Sequence, residues 1–441
     1  MDKQLLSVGL DIGTTSTQMV VSQLTVENKA GNFSVPQMQI TQRQILYKSP
    51  IRLTPLSQGE LVDGAEIRAW VAQEYARAGI SRRDVDTGAI IITGETSRKE
   101  NAETVLHNLA GFAGDFVVAT AGPDLESVLA AKGAGAVEYS KQVDRPVLHM
   151  DIGGGTSNLA LIRDGQILAT GCLNVGGRLV KLQSDGRLCY ISPVLLGLFD
   201  GIIGQVPTKE QLAALAETLV SALEMAAGLR PRTSLLDALW TKEAGTAWCA
   251  DGDCILSFSG GVADCIETRH PALAFGDIGP ILGDAIRASR LCAGAYRLGS
   301  ETIRATVIGA GCHSTQLSGS TVFHRNITFP LKNLPVITDL AALAQLDSPG
   351  ILALDAQAID YAQVSLLSDR ILRDHPKGPV LIGMQADMAK ALGHALALRL
   401  PPETPILCID RVALTEQSYL DIAAPVGTAL PVVIKTLIWN R

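Results

Sequence analysis

The stretch LLSVGLDIGTTSTQMV at residues 5–20 places an acidic turn between two apolar segments. Residues 5–10 are apolar enough for a buried strand, and residues 17–24 predict a second strand. The turn between them carries Asp11 and is rich in Gly, Ser and Thr, which offer backbone N–H groups and hydroxyls to phosphate oxygens. A carboxylate that faces a phosphate needs a cation between them, and hydrated Mg²⁺ supplies one. The pattern predicts a phosphate-binding turn, with a plain tight turn as the alternative.

A second stretch of the same layout, MDIGGGTSNLAL, occupies residues 150–161. It again joins an apolar segment, an aspartate (Asp151), glycines, hydroxyl residues and a further apolar segment. The three consecutive glycines at 153–155 are costly to order in a folded chain. That cost is explained if the backbone approaches a ligand closely. Two copies of one unusual arrangement favour a site in which two turns hold the same phosphates from opposite sides.

A third motif, which contains a glycine pair, is SFSGGVAD at residues 257–264, after a predicted strand at 254–258. Gly260 and Gly261 would let a flat base or ribose lie against bare backbone. Taken alone, the pair fits a simple strand-to-helix turn equally well. Its position after two phosphate turns favours the nucleotide interpretation.

The order of apolar segments predicts an α/β fold with two similar halves, each starting with strands around an acidic turn and continuing with alternating strands and helices. Further elements expected from periodicity are strands at 38–47, 88–93, 115–120, 146–151, 157–163, 167–174 and 303–308, and helices at 64–78, 97–113, 209–226, 277–290 and from 123 onward. We expect lobes at 1–140 and 141–332. The remaining region, 333–441, predicts a smaller α/β unit with strands at 351–354, 379–384, 405–410 and 430–439 and a helix at 388–400.

Composition limits the classes of function. The 441 residues carry a net charge of −7, and 47% are hydrophobic against 18% charged, as expected for a folded protein with a large core. No run of Lys and Arg indicates a nucleic-acid surface, no apolar stretch reaches the ~18 residues of a membrane span, and no export signal is visible. The eight cysteines form no CxxC pair. We expect a cytoplasmic protein with neither nucleic acid nor membrane as a partner.

The three motifs in this order resemble the phosphate-1, phosphate-2 and adenosine motifs of the actin–Hsp70–sugar-kinase superfamily. Residues 121–136 and 305–311 are similar to its two connecting helices, where small residues suit helices that cross closely and slide during hinge motion. No GxxxxGK[ST] P-loop is present. The resemblance implies two actin-like, ribonuclease-H-like ATPase lobes around a nucleotide cleft that holds ATP and Mg²⁺.

The same resemblance implies a role for each motif residue. Asp11 and Asp151 would hold Mg²⁺ through water and take part in catalysis. Glu126 is expected to orient the attacking water, with an acid favoured by the helix dipole as the alternative, and residues 93–95 are expected near the terminal phosphate. The residues expected to contact the nucleotide are Gly13, Thr14, Thr15, Gly153, Gly154, Gly155, Thr156, Gly260, Gly261 and Gly309.

Within that superfamily the chain is similar to the ethanolamine ammonia-lyase reactivating factors. The similarity rests on the motifs above and on DTGAIIITGETSRKENA (86–102), GDFVVATAGPDLESVLAAKGAGA (114–136), CLNVGGRLV (172–180) and RATVIGAG (304–311). Residues 185–250 depart most from it. The resemblance implies an ATPase that acts as a chaperone of ethanolamine ammonia-lyase. Using ATP and Mg²⁺, it would release damaged cobalamin so that intact adenosylcobalamin can bind, in the cytoplasm or in a bacterial microcompartment of ethanolamine breakdown. Whether cobalamin contacts this chain is left open.

Three other functions fit the superfamily. A small-molecule kinase would place phosphate on a hydroxylated substrate and would need a carboxylate base near the terminal phosphate. An activase of a radical dehydratase would need closely placed cysteines for an iron–sulfur cluster, which this spacing does not supply. A filament-forming bacterial actin would assemble in response to nucleotide.

Overall fold

A computed structural model gives the fold of the chain. It describes residues 3–13, 16–28, 38–56, 61–93, 109, 117–120, 122–241, 250, 252–313, 315–318, 322–339, 349–354, 360–374, 378–412, 414, 418–425 and 430–436. Within these residues no helix has the length and apolar character needed to cross a membrane.

The first sheet carries the turn at Asp11. Its strands, in spatial order, are Met38–Lys48, Ser16–Asn28, Lys3–Ile12, Thr87–Ile92 and Val117–Thr120, with the short strand Arg52–Leu53 also paired to the second of them. The first three strands are antiparallel, and the last two continue the sheet in parallel. Helix Gly64–Ala78 begins where Asp63 Oδ1 accepts a hydrogen bond from Glu66 N at 2.9 Å and ends at Gly79.

The second sheet repeats this order around the turn at Asp151. Its strands are Gln166–Leu173, Ser157–Arg163, Val147–Ile152, Ile255–Ser259 and Tyr296–Leu298, again three antiparallel and then two parallel. The two central parallel strands are buried along their whole length, because both faces of the sheet are covered. A duplicated sheet of this order is the ribonuclease-H-like arrangement of actin-type ATPases, so the predicted fold class is confirmed.

Five of the described helices pack around the second sheet. They are Ala136–Ser140, Lys209–Ala226, Ser234–Leu239, Gly261–Glu267 and Gly279–Ala288, and a two-stranded ribbon, Val180–Leu182 with Leu188–Ile191, lies beside them. Helix Lys209–Ala226 has the bounds that its periodicity predicts. It begins at a capping box in which Thr208 and Gln211 each bond the other's backbone, and it buries Leu212, Leu215 and Leu219.

Two connecting helices, Pro123–Gly133 and Ala305–His313, cross between the lobes. Their backbones touch: a Cβ added at Gly133 would come within 1.8 Å of Ala305 O, and one added at Gly309 within 2.0 Å of Leu129 O. The second connecting helix also packs on the first sheet, where a Cβ at Gly9 would come within 2.4 Å of Val307 O. Small residues are therefore required at this crossing.

The remaining strands form one eight-stranded sheet, here called the C-terminal sheet. In spatial order its strands are Thr315–Leu317, Pro431–Thr436, Ser418–Ile422, Leu331–Ile337, Ile351–Leu354, Val380–Met384, Ile406–Ile409 and Phe323–Arg325. The four strands from Leu331 to Ile409 are parallel, and helices Tyr361–Asp374 and Ala389–Ala397 join the last three of them. Strands of this sheet begin at Thr315, ahead of residue 333, where we expected the region to start.

The strand predicted at 303–308 is wrong, the helix predicted at 97–113 is not tested, and a described helix of the C-terminal region was not predicted. Residues 303–308 do not form a strand: the second connecting helix begins at Ala305, because Gly309 and Gly311 allow it to lie against neighbouring backbone. The β-branched run Thr306-Val307-Ile308 had favoured a strand. The helix predicted at 97–113 lies outside the described residues except for Leu109, and the helix Tyr361–Asp374 was not anticipated.

Candidate functional site

A cavity of about 560 Å³ opens between the two lobes where their motif turns face each other. Each turn follows the carboxyl end of a central strand, Lys3–Ile12 in one lobe and Val147–Ile152 in the other. Predicted site residues that line the cavity are Asp11, Gly13, Glu126, Asp151, Gly153, Gly154, Gly155, Thr156, Gly260 and Gly261, and Thr93 joins them. Thr14, Thr15, Gly94 and Glu95 lie outside the described residues.

The phosphate-1 turn, residues 11–17, is closed by a hydrogen bond from Gly13 N to Ser16 O at 2.9 Å. Asp11 is buried at its start, and Thr93 Oγ1 donates to Asp11 Oδ1 at 3.0 Å. Burial raises the pKa of Asp11 to about 7; the Thr93 hydrogen bond lowers it, and the charge of Asp151 raises it further. Burial therefore makes the ionised carboxylate unfavourable at this position.

The phosphate-2 turn, residues 151–157, is closed in the same way, by Gly153 N donating to Thr156 O at 2.9 Å. Burial raises the pKa of Asp151 to about 6, and hydrogen bonds from Ser259 and Thr306 lower it. The hydroxyl of Ser259 donates to Asp151 Oδ1, and Thr306 Oγ1 donates to Oδ2 at 3.4 Å. The two turns thus share both backbone pattern and a buried aspartate supported by hydroxyls.

The pair of buried carboxylates fits a divalent cation. Asp11 and Asp151 come from different lobes and line one cavity; burial is the main cause of the raised pKa of Asp11, and the charge of Asp151 adds a smaller contribution. A cation between them would offset the cost of burying two like charges. Carboxylate oxygens are the ligands that Mg²⁺ prefers, and Mg²⁺ keeps several waters when one or two carboxylates hold it.

The glycines of the phosphate-2 turn leave room that side chains would fill. A Cβ added at Gly155 would meet nothing within 4 Å, and one at Gly153 would come no closer than 3.5 Å to Thr156 O. Gly155 lines the cavity, so its missing side chain opens space toward the cleft and not toward the core. This is the geometry expected where backbone N–H groups approach an anion.

The adenosine motif lines the cavity, but its first glycine is required by packing. Gly260 has φ of 89°, and a Cβ there would come within 2.3 Å of Ile152 O, so the residue lies against the central strand. Gly261 starts the helix that ends at Glu267, and its Cβ would have only Ile303 within 4 Å, at 3.7 Å. Gly261 is thus the one of the pair that leaves open space beside the cavity.

Glu126 lies in the first turn of the connecting helix Pro123–Gly133 and is buried, with its carboxylate at the cavity wall. Asn158 Nδ2 donates to Glu126 Oε2 at 2.7 Å, which ties the connecting helix to the strand after the phosphate-2 turn. Glu126 lies both in the first turn of the helix and at the cavity. Its position is therefore compatible with a water-orienting acid and with an acid that the helix dipole favours.

Gly309 does not line the cavity. It lies at the crossing of the two connecting helices, against the carbonyl of Leu129. The structure therefore gives it a packing position outside the residues that line the cavity. Its small size suits the close helix crossing that the sequence predicts for residues 305–311.

Several cavity residues were not singled out by the sequence. Arg178 and Asp277 form a salt bridge at 3.0 Å in the cavity wall, and Ser259 and Thr306 support Asp151. Arg178 had a local signal, since it follows two glycines in CLNVGGRLV. Ser259 and Thr306 lie in the quoted segments SFSGGVAD and RATVIGAG, but their role at Asp151 had no local signal, because that partner is more than a hundred residues away in the chain.

Comparison with known proteins gives a consistent result over the whole chain. The family described as "Ethanolamine utilisation protein EutA" matches residues 3–348 and 340–440. The chain belongs to the EutA family. A curated relative from Salmonella typhimurium, "Ethanolamine ammonia-lyase reactivase EutA", is 38% identical over 473 residues, covering 99% of this chain and 98% of the relative. The protein of that name from Escherichia coli is 39% identical over 474 residues, with the same coverage.

Solved structures with related folds are more distant. A Ppx/GppA family member from Aquifex aeolicus is 16% identical with a TM-score of 0.37, covering 60% of this chain and 69% of its own. The ethanolamine utilization protein EutJ from Carboxydothermus hydrogenoformans is 16% identical with a TM-score of 0.35, covering 69% of this chain and 88% of its own.

Proposed function

We propose that the chain is an ATP-dependent reactivating factor of ethanolamine ammonia-lyase. One observation carries the proposal: two phosphate turns of the same hydrogen-bond pattern face each other across one cavity, in a chain whose EutA relatives are named reactivases of that lyase. These names favour the reactivating factor over the kinase that the sequence left open.

In this proposal the cleft binds ATP with Mg²⁺. Asp11 and Asp151 would hold the ion through water, one from each lobe, and the ion would supply positive charge that offsets the charge of the phosphates. The phosphate-1 turn would face the phosphates on one side through Gly13, and residues 153–156 would face them on the other. Gly260 and Gly261 lie on the adenosine side of the cavity.

Hydrolysis needs a water aligned with the terminal phosphate. Glu126 is fixed by Asn158 at the cavity wall and is placed to accept a proton from that water or to orient it. Thr93 holds Asp11 from the neighbouring strand. The connecting helices meet through glycines, so small shifts of the lobes need no side chains to be repacked at their crossing.

The output of the cycle is motion delivered to a partner. ATP shifts the balance between open and closed lobes only by its different affinity for the two states. Closure would strain the bound lyase so that damaged cobalamin leaves and adenosylcobalamin from solution enters. Adenosylcobalamin is the partner's cofactor, and no residue of this chain is assigned to it. The cytoplasm, or a bacterial microcompartment of ethanolamine breakdown, is the proposed location.

The test uses ethanolamine ammonia-lyase of the same species, blocked with cyanocobalamin. The chain, Mg·ATP and adenosylcobalamin are added, and ammonia-lyase activity is followed. Recovery is expected with the unaltered chain and not with Asp151→Ala, while Asp253→Ala, an exposed carboxylate of the same lobe, behaves as the unaltered chain. ATP hydrolysis without any recovery of the lyase would refute the partner and leave the ATPase standing.

A further inference from the structure

A Gly-Gly-Arg segment that ends at Arg178 lies directly against the phosphate-2 turn. Gly177 N donates to Gly153 O at 3.0 Å, and Arg178 N donates to Gly154 O at 2.6 Å. A Cβ added at Gly176 would come within 2.3 Å of Gly154 O, so no larger residue fits there. The Arg178 side chain therefore starts at the turn that faces the phosphates.

The carboxylate of Asp277 fixes the position of the Arg178 guanidinium. Arg178 Nε donates to Asp277 Oδ2 at 3.0 Å, and the other carboxylate oxygen accepts from Gly279 N at 2.8 Å, at the start of helix Gly279–Ala288. Asp277 is buried, whereas the Arg178 side chain is 29% exposed and lines the cavity. Within the described part of the chain, neither Nη atom of Arg178 has a protein partner. The fork of the guanidinium is thus anchored at one nitrogen and open at the other two.

The charged side chains that line the cavity are mostly acidic, which indicates a role for Arg178 in binding an anion. The described lining contains five carboxylates and two arginines: Asp11, Glu126, Asp151, Asp264 and Asp277, with Arg52 and Arg178. The other arginine, Arg52, pairs with the half-exposed Glu66 on the first lobe. The carboxylates of this acidic cavity repel a polyphosphate, and a cationic side chain in the lining reduces that repulsion. Arg178 is the cation held beside the phosphate-2 turn.

We infer that Arg178 binds phosphate oxygens of the nucleotide through its Nη atoms and that Asp277 is its positioning residue. The inference rests on the proposed nucleotide site. A planar guanidinium held at Nε presents two parallel N–H donors to a phosphate, which an ammonium cannot do. Because Asp277 also receives Gly279 N, occupation of the phosphate site is linked to the start of helix Gly279–Ala288.

Isothermal titration calorimetry with Mg·AMP-PNP, a non-hydrolysable ATP analogue, tests the inference on the full chain. Arg178→Gln should raise the Kd about 10- to 100-fold, the cost of losing charged hydrogen bonds. Arg178→Lys should fall between Gln and wild type, and Asp277→Asn should raise the Kd by a smaller factor. Arg163→Gln, at an exposed arginine of the same lobe, should leave the Kd unchanged.

A second measurement separates phosphate binding from a purely structural role. Millimolar guanidinium ion added to Arg178→Ala should restore part of the lost affinity, because a free guanidinium can occupy the vacated place, whereas a distorted fold would not respond. Wild-type affinity in both Arg178→Gln and Arg178→Lys, or no rescue in a folded Arg178→Ala, would overturn the inference. Failure of the unaltered chain to bind Mg·AMP-PNP would instead remove the nucleotide site on which it rests.

Discussion

The hydroxyl of Ser259 donates a hydrogen bond to Oδ1 of Asp151, so the strand that leads into the adenosine motif supports the aspartate of the phosphate-2 turn. Behind it, His149 Nε2 lies 2.9 Å from Ser259 Oγ and His149 Nδ1 lies 3.1 Å from Ser257 Oγ. Burial lowers the pKa of His149 to about 3, so the ring is neutral. Because the Ser259 hydroxyl uses its own proton to donate to Asp151, it accepts from His149. We therefore assign the proton of the His149 ring to Nε2, which donates to Ser259 Oγ.

Ser259→Ala should therefore weaken magnesium-dependent ATP hydrolysis without unfolding the chain. The hydrogen bond favours the ionised form of Asp151, and its loss raises the pKa of that carboxyl. We expect kcat near neutral pH to fall about 10-fold or more, as for other residues behind a metal ligand. The acidic limb of the pH–rate profile should move to higher pH. Ser221→Ala, on the exposed face of a helix in the same lobe, is the control, and an unmoved profile in Ser259→Ala would contradict this role.

Asp11→Asn should stabilise the chain in the absence of Mg²⁺ and abolish the stabilisation that Mg·ATP gives. The folded pKa of Asp11, about 7, lies above its ordinary value of 3.8, so between these pH values the folded state binds more protons than the unfolded state. Stability accordingly falls as pH rises through that window. Asn keeps an acceptor for Thr93 and carries no charge.

The gain for Asp11→Asn should reach at most about 4 kcal/mol at pH 8 and disappear near pH 4. Urea unfolding at both pH values, with and without Mg·ATP, measures it. Asp253→Asn, at an exposed carboxylate, should show neither effect. A variant that is less stable than the unaltered chain at pH 8 without Mg²⁺ would show that the Asp11 charge is not buried at a cost.

Gly155→Ala separates binding from folding. A Cβ at this position meets nothing within 4 Å and lies at the cavity, so the melting temperature should be unchanged. A methyl group would then occupy space that the phosphates need, and overpacking of 1 to 3 kcal/mol corresponds to about 5- to 150-fold in Kd for Mg·AMP-PNP. Gly294→Ala, which also meets no neighbouring atom, should bind normally. Normal binding by Gly155→Ala would exclude the close approach of phosphate to this turn.

Gly309→Ala should have the opposite effect to Gly155→Ala: it should lower the stability of the chain and leave the nucleotide affinity of the folded chain unchanged. Its Cβ would come within 2.0 Å of Leu129 O, so the connecting helices must separate. We expect a loss of about 1–3 kcal/mol in the free energy of unfolding, with Gly294→Ala again as the neutral control. If the chain instead kept its stability and lost nucleotide affinity, Gly309 would belong to the nucleotide site after all.

These residues show which parts of the molecule can be read from the sequence. The two turns at Asp11 and Asp151 were predictable as turns because each is a short local pattern, an aspartate with glycines between two apolar strands, and it occurs twice. The helix Lys209–Ala226 was predictable for the same reason, since its capping box and buried stripe lie within one segment.

The rest depends on contacts between distant segments. Gly309 looks the same whether it faces a ligand or the carbonyl of Leu129, and only the crossing of the helices decides. The support of Asp151 by Ser259, and of Arg178 by Asp277, joins residues about a hundred positions apart. No local period signals such pairs, so they become visible only when the central strands and the turns that follow them are placed side by side.

Glu126→Gln decides between the two interpretations of that acid. If Glu126 orients the attacking water, kcat for ATP hydrolysis should fall about 10²- to 10⁴-fold, while the Kd for Mg·AMP-PNP changes little, because Gln still accepts the hydrogen bond from Asn158. If it only stabilises the helix start, the loss appears in stability and amounts to about 0.3–1 kcal/mol. Asp124→Asn, in the same first turn and bonded to Thr170, is the matched control, since it shares the helix position and does not line the cavity. Single-turnover hydrolysis and thermal melting of both variants separate the outcomes, and equal, small effects in the two would leave the water-orienting role to another residue.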